Sequence, residues 1–252
     1  MATIFCFTST GNSLYAAKKI AEIIGGNVAP MRGEPADCGD GVVGLVFPVY
    51  FWGLPRMVER FVREIRIANK DAYVFAVANY GGFVYGALER VKTLLKANGV
   101  RLSYGKNLKM VENYIPRYKV NDSEAFREKI DGDIMKIADA VQRGAANRVH
   151  AFAFVAKLSH RFYPDENSDR YFSVSSACTG CGACKAVCPA GNIALPSGKP
   201  EFKHNCEHCL ACLQHCPIRA IDWRGKTDGK DRFRNAGVPL NELIAFNRCD
   251  GD

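Results

Sequence analysis

CTGCGACKAVCP (residues 178–189) and CEHCLACLQHCP (residues 206–217) hold eight of the chain's eleven cysteines in two copies of one pattern, CxxCxxCxxxCP. A four-iron cubane needs four converging thiolate sulfurs, and two-residue gaps let a tightly turning loop aim three of them inward together. The fourth must come from elsewhere. In the arrangement this spacing signals, the last cysteine of each copy crosses to the other cluster. Cys178, Cys181, Cys184 and Cys216 are therefore assigned to one cluster, and Cys206, Cys209, Cys212 and Cys188 to the other. Pro189 and Pro217 are expected to end the short helix that carries each crossing cysteine, because proline fixes φ. Zinc also favours paired cysteines, but its structural sites separate CxxC pairs by a longer loop. A disulfide framework fits worse still in a chain of 252 residues with no secretory signal.

The stretch closely resembles a bacterial-type ferredoxin with two [4Fe-4S] clusters, a resemblance covering residues 172–224. Such a module leaves enough chain for a second domain. At 48% apolar residues, that remainder has the composition of an ordinary globular core.

At the other end, the apolar run Thr3 to Phe7 leads into Thr8-Ser9-Thr10-Gly11-Asn12-Ser13 and then into a segment of helical spacing, Leu14 to Ala21. Strand, hydroxyl-rich loop and helix in that order present backbone N–H groups and four hydroxyls to an anion at a helix N-terminus. The lysine and spacing of a Walker loop are absent, and so is GxGxxG. Hydroxyls and amides without a lysine suit a monophosphate ester held without a metal. TSTGNS directly after the first strand resembles the phosphate loop of flavodoxins, and the resemblance implies bound FMN.

Further segments follow in the order that resemblance requires. Val28 to Met31 is a possible brief strand. Val42 to Phe47 is a continuous apolar run typical of a buried parallel strand. It is followed by Pro48-Val49-Tyr50-Phe51-Trp52-Gly53, an aromatic loop at the strand end where open α/β sheets bind ligands, and then by a helical pattern over Arg56 to Ile67. Ala72 to Ala78 is a strand ending in Asn79-Tyr80-Gly81-Gly82, whose paired glycines permit positive φ and close backbone approach. A helix over Tyr85 to Ala97, a strand within Gly99 to Val111 and a helix over Asp122 to Arg143 complete the pattern. The expected fold is α/β, a doubly wound five-stranded parallel flavodoxin-like sheet of order 2-1-3-4-5, followed by a small α+β ferredoxin domain. In flavodoxins three loops at this sheet edge hold the phosphate and the two sides of the isoalloxazine, so the resemblance extends FMN contact to Pro48–Gly53 and Asn79–Gly82.

The expected domains are residues 1–145, binding FMN; a linker over 146–171 with a helix from Val149 to Tyr163 and an exposed polar stretch from Asp165 to Arg170; the ferredoxin domain over 172–224; and a C-terminal strap over 225–252. Cys6 reads as a small apolar core residue. Cys38 and Cys249 stand outside the cluster pattern. His204, His208 and His215 lie among the cluster cysteines, whose ligand count is already complete, so they are expected beside the ligands or at the surface.

The formal net charge of +8 is spread along the chain, with 21 Lys/Arg against 15 Asp/Glu in residues 1–150. No basic run interleaved with aromatics marks a nucleic-acid footprint. A basic carrier is instead suited to dock on an acidic face of a redox partner protein. No stretch has the length and apolarity of a membrane span, and thiols kept reduced to hold iron suit a cytoplasmic setting.

The whole pattern resembles a bacterial family of flavodoxin and ferredoxin fusions, found largely in anaerobes. It implies an electron-transfer protein relaying electrons between two [4Fe-4S] clusters and FMN, to or from a redox partner. The alternative is an FMN-dependent reductase of a small organic substrate fed by its own clusters. No acid/base dyad stands near the expected flavin loops, though Tyr50, Tyr80 and Tyr85 offer phenolic protons.

Overall fold

The structure is a computed structural model and describes residues 1–32, 37–38, 41–149 and 160–248. The chain divides into two units. Met1–Phe7, Asn12–Val111 and Asp122–Tyr163 form the first, and Thr8–Gly11, Glu112–Asn121 and Pro164–Asp252 form the second.

In the first unit, β1 (Ala2–Cys6), α1 (Asn12–Ile24), β2 (Gly26–Pro30), β3 (Asp37–Cys38), β4 (Val43–Pro48), α2 (Arg56–Glu64), β5 (Arg66–Ile67), β6 (Val74–Tyr80), α3 (Ala87–Ala97), β7 (Leu102–Lys109) and α4 (Glu124–Gln142) follow one another. Five strands form one sheet in the order β2-β1-β4-β6-β7, and every pair is parallel. Counted along the chain, that order is 2-1-3-4-5, as expected. β3 and β5 make a separate two-stranded parallel pair.

Burial explains why these segments are strands. Alternate residues of β1, β4 and β6 point to opposite faces. Phe5, Leu45, Phe47, Ala76 and Ala78 join Val58, Val62, Val91 and Leu95 of α2 and α3 in one core cluster. Their neighbours Ile4, Val46, Phe75 and Val77 are equally buried but lie outside that cluster. A sheet covered on both faces reads as continuous apolar runs, which is what VGLVF and VFAVA are. α1 and α4 pack together, and the Tyr15 hydroxyl donates to Asp131 Oδ1 at 2.6 Å while Lys19 Nζ bonds Oδ2 at 3.1 Å.

Element ends differ from expectation for identifiable reasons. The helix starting at Arg56 stops at Glu64 because Ile65 is extended and Arg66–Ile67 pair with Asp37–Cys38. α3 starts at Ala87, not Tyr85, because Gly86 is left-handed with φ 64°. α4 starts after Ser123, whose side chain accepts from Phe126 N, an N-cap that satisfies one of the first-turn amides. The expected helix from Val149 to Tyr163 lies largely outside the described residues; His160–Phe162 form a 3-10 turn.

The second unit is built on two short antiparallel pairs. A 3-10 turn (Glu166–Tyr171) leads to β8 (Phe172–Val174), then α5 (Ala183–Ala186), β9 (Ile193–Ala194), β10 (Glu201–Phe202), α6 (Ala211–Gln214), β11 (Ile221–Trp223) and α7 (Leu240–Asn247). β8 pairs with β11 and β9 with β10. Asp165 to Arg170 is not uniformly exposed as expected: Ser168 and Asp169 are buried. The tail expected as a strap carries α7. Among the described residues no helix is long and apolar enough to cross a membrane.

Candidate functional site: two thiol-lined cavities and a hydroxyl loop

Each cysteine loop owes its shape to left-handed residues at matched positions. In the first copy these are Gly180, Gly182 and Gly191, with φ of 71°, 78° and 56°. The equivalent positions of the second copy are His208, Leu210 and Arg219, with φ of 49°, 60° and 55°. Glycine enters this region at no steric cost, whereas a side chain there costs about 1–2 kcal/mol per residue. The second copy keeps the turns at that cost.

The turns gather the sulfurs around two cavities. Cys178, Cys181, Cys184 and Cys216 line one, together with Gly180, Leu195 and Ile218. Cys188, Cys206, Cys209 and Cys212 line the other, with Phe172, Phe202 and Leu210. Each cavity thus brings together three cysteines of one copy and the last cysteine of the other. Among the described residues no three His, Cys, Asp or Glu side chains converge as ligands of a single ion would. α5 and α6 carry the third cysteine of each copy, Cys184 and Cys212, and end before Cys188 and Cys216. This corrects the expectation that the crossing cysteine sits on the helix and that proline ends it: the helix is already over at Val187 and at His215.

Backbone amides point at several sulfurs. Asn192 N donates to Cys188 Sγ at 3.3 Å, Ala220 N to Cys216 Sγ at 3.2 Å and His208 N to Cys206 Sγ at 3.2 Å. The first two are equivalent positions in the repeat. Burial pushes the Cys184 thiol up to about 11, and burial followed by neighbouring thiols pushes Cys209 and Cys212 well above the ordinary range. Such thiols become thiolates only against strong positive charge, which bound iron would supply. None of the nine cysteines whose side chains are described is in a disulfide, and Cys6 is buried on β1. Cys249 lies outside the described residues, and so does the side chain of Cys38.

Asp169 was not anticipated. Its carboxylate accepts from Asn192 Nδ2 at 2.9 Å and His204 N at 2.9 Å, and Oδ1 lies 2.6 Å from His204 Nδ1. Asn192 Oδ1 in turn accepts from Asn205 N at 2.6 Å. The network fastens the end of one copy to the start of the other. Nothing in the polar run ENSDRY marks Asp169 as buried; the sole signal is a carboxylate just upstream of a cysteine repeat. His208 stands edge-on to Trp223, with ring centroids 5.1 Å apart, and its Nε2 lies 3.3 Å from the Tyr114 hydroxyl.

His215 is buried, its Nε2 bonds Ser9 O at 3.2 Å, and Nδ1 has no partner among the described residues. A carbonyl only accepts, so Nε2 carries the proton. Burial, aided by Arg234, lowers its pKa to about 4, which keeps the ring neutral.

The hydroxyl loop is buried from Thr8 to Ser13. Around Thr8–Gly11, Thr8 Oγ1 accepts from Gly11 N at 3.2 Å and Asn113 Nδ2 donates to Thr10 Oγ1 at 2.7 Å. Both hydroxyls are used as acceptors there and keep their own protons for an anion. Thr8 O accepts from Asn247 Nδ2 at 3.2 Å, and Thr10 O from Asn235 N at 2.9 Å. Gly11 has φ 97°, and a Cβ there would meet Asn235 Cβ at 3.0 Å and Val238 Cβ at 3.1 Å, so glycine is required twice over. In the first unit, Asn12 Nδ2 donates to Val111 O at 3.2 Å and Ser13 Oγ donates to Asn79 Oδ1 at 2.7 Å. Ser13 therefore has no proton left for a phosphate. The Thr8 and Thr10 hydroxyls are the ones whose protons are not engaged there.

The aromatic loop takes an unexpected form. Tyr50 and Gly53 exchange both backbone hydrogen bonds, at 3.1 and 2.9 Å, around Phe51 (φ 46°) and Trp52 (φ 67°). Gly81 and Gly82, which permit positive φ, do not adopt it, and the left-handed residues here are these two aromatics. Phe51 stacks on Tyr163 at 5.5 Å and Trp52 meets Phe162 edge-on at 5.9 Å, while Arg56 lies over the Tyr163 ring at 4.3 Å. Pro48 ends β4, and just beyond it Val49 N donates to Asn79 O at 2.8 Å. Asn79 is buried, and Tyr80 ends β6 with its carbonyl accepting from Met110 N.

Residues 167–221 match the family model of the 4Fe-4S dicluster domain. No curated protein matches the chain. Among solved structures, Megasphaera elsdenii flavodoxin is 18% identical, covers 42% of this chain and 85% of its own, and has a TM-score of 0.36. The flavodoxin of Streptococcus pneumonia TIGR4 is 15% identical, covers 55% and 97%, and has a TM-score of 0.38. A flavodoxin, WrbA-like protein from Agrobacterium tumefaciens is 13% identical, covers 57% and 98%, and has a TM-score of 0.37. A parallel sheet of order 2-1-3-4-5 followed by a 4Fe-4S dicluster domain is the order expected from the sequence.

Proposed function

We propose that the chain is an electron-transfer protein that holds two [4Fe-4S] clusters and a flavin, and passes electrons to or from a redox partner. The observation that carries the reading is the pair of cavities, each ringed by four thiols drawn from both copies of the repeat. Cys178, Cys181, Cys184 and Cys216 would hold one cluster and Cys206, Cys209, Cys212 and Cys188 the other. Clusters move single electrons and a flavin accepts one or two, so the chain would join the two currencies. N–H donors to Cys188, Cys206 and Cys216 would stabilise thiolate charge and favour the reduced clusters.

The flavin is read as FMN, with Thr8, Thr10 and the amides of the hydroxyl loop holding its phosphate. The Phe51 face is already covered by Tyr163, whereas Tyr80 makes no ring contact among the described residues, so Tyr80 is the better ring to flank an isoalloxazine. No acid/base pair among these residues favours the reductase alternative.

Anaerobic purification followed by iron analysis, acid extraction of flavin and electron paramagnetic resonance of the reduced protein tests the reading. Eight irons, one FMN and two interacting reduced clusters are expected. Replacing Cys188 by serine should disturb the cluster of the second copy and leave that of the first. Loss of the first copy's cluster instead would refute the crossed assignment.

A further inference from the structure

Arginines and exposed tyrosines gather on one side of the second unit. Arg170 and Arg224 lie over the Tyr171 ring, 4.8 and 3.6 Å from its centroid, and Arg224 also faces Trp223 at 4.9 Å. Arg170 Nη2 donates to the Tyr171 hydroxyl at 3.1 Å. Arg117 stands 5.7 Å from the Tyr118 ring. Arg117 N and Tyr118 N donate to Tyr114 O at 3.1 and 3.0 Å, and the Tyr114 ring lies 5.9 Å from His208, which packs on Trp223 beside Arg224. Arg117, Tyr118, Arg170, Tyr171 and Arg224 are all exposed. Of the nearby carboxylates, Asp165 stands 3.8 Å from Arg170, and Asp222 is taken up by Gly225 and Thr227 amides. Stacked arginine and tyrosine are the residue types that dominate binding energy at protein interfaces.

The same patch is wired inward. Arg224 touches Trp223, Trp223 packs on His208, and His208 N donates to Cys206 Sγ at 3.2 Å. A second branch runs from Tyr114 through His208 Nε2. Electron coupling decays less through bonded, hydrogen-bonded and stacked atoms than across empty space, so a carrier seated here would be well connected to Cys206.

We propose that the Arg117–Arg170–Arg224 face is the docking surface for the partner, and that the partner is a small acidic one-electron carrier protein. This rests on the electron-transfer reading and names the partner's chemistry. One electron leaves the reduced chain by way of the second copy's thiols and enters the oxidised carrier, with no proton or group transferred. Opposite charges steer the encounter and set its salt dependence, while the stacked tyrosines supply contact area.

The test uses an acidic plant-type [2Fe-2S] ferredoxin as surrogate carrier and the iron-loaded full chain. Affinity is measured by calorimetry over a salt series, and electron transfer by stopped flow. Arg117→Glu/Arg224→Glu should weaken binding and slow transfer on the order of tenfold at low salt and flatten the salt dependence. Lys136→Glu, an exposed reversal of the same sign on α4, should do neither. Unchanged iron content and visible spectrum show that the variants are folded, and Arg224→Gln gives a milder version. Equal affinity and salt slope in the reversed and control variants would overturn the docking face. Clusters that cannot be reduced would sink the electron-transfer reading instead, because the affinity series needs no electron flow.

Discussion

Thr10 and Ser13 carry the same hydroxyl chemistry and opposite hydrogen-bond roles. Thr10 accepts from Asn113 and keeps a proton to give; Ser13 gives its proton to Asn79. Thr10→Ala should therefore weaken FMN binding by about 1.5–3 kcal/mol, the worth of a hydrogen bond to a charged group. Ser13→Ala should leave FMN affinity nearly intact and lower stability by about 1 kcal/mol. Fluorescence titration of flavin beside urea unfolding separates the two; equal losses of affinity would return Ser13 to the phosphate. Asp222 gives a pH signature. Burial raises its pKa, but hydrogen bonds from Thr227 and from the Gly225 and Trp223 amides outweigh burial and hold it below the ordinary 3.8. A carboxyl with a lowered folded pKa stabilises above its unfolded pKa, and that contribution fades as pH falls through the folded value. Acid should thus loosen the turn after β11 at the low end of the carboxylate range, and Asp222→Asn should remove that step from a pH-stability profile of the iron-loaded protein. A profile that keeps the step would assign it to another group.

Among elements, the strands were the most legible because their signal is continuous burial: Val42 to Phe47 and Ala72 to Ala78 become β4 and β6 with small shifts. Ends were less legible, since Gly86 and Ile65 act through backbone conformation. The Tyr50–Gly53 turn was hidden for the same reason. Two-residue turns with positive φ at both central positions prefer Asn-Gly, and nothing in Phe-Trp announces one. Left-handed aromatics cost about 1–2 kcal/mol each, partly offset by ring contacts of about 0.5–1.5 kcal/mol. Phe51→Asn/Trp52→Gly should accordingly raise the urea midpoint of the flavin-free protein. A lower midpoint would mean that the contacts with Phe162 and Tyr163 outweigh the strain. In the cysteine loops the repeat itself was plain, and its left-handed positions become readable only when the copies are aligned. Gly180, Gly182 and Gly191 then declare what His208, Leu210 and Arg219 conceal.

Across the whole molecule, both folds were written in the sequence: one in the alternation of apolar runs with helical periods, the other in the spacing of eight cysteines. The grouping of Thr8–Gly11 and Glu112–Asn121 with the second unit was not. It depends on single side chains, Asn113, His215 and Asn247, whose reach no periodicity encodes. The repeat also breaks where that grouping is made: the second copy has Gln214-His215 where the first has Ala186-Val187. Gln214 Nε2 donates to Asn113 O at 2.7 Å, and His215 bonds Ser9 O. That wiring has a consequence for how the protein is made. Ser9 leaves the ribosome 206 residues ahead of His215 and Thr8 is 239 ahead of Asn247. At about 5–20 residues per second, the hydroxyl loop waits roughly 10–50 seconds for its last partners. Throughout that interval an arriving phosphate ester meets a loop that the finished chain has not yet fastened.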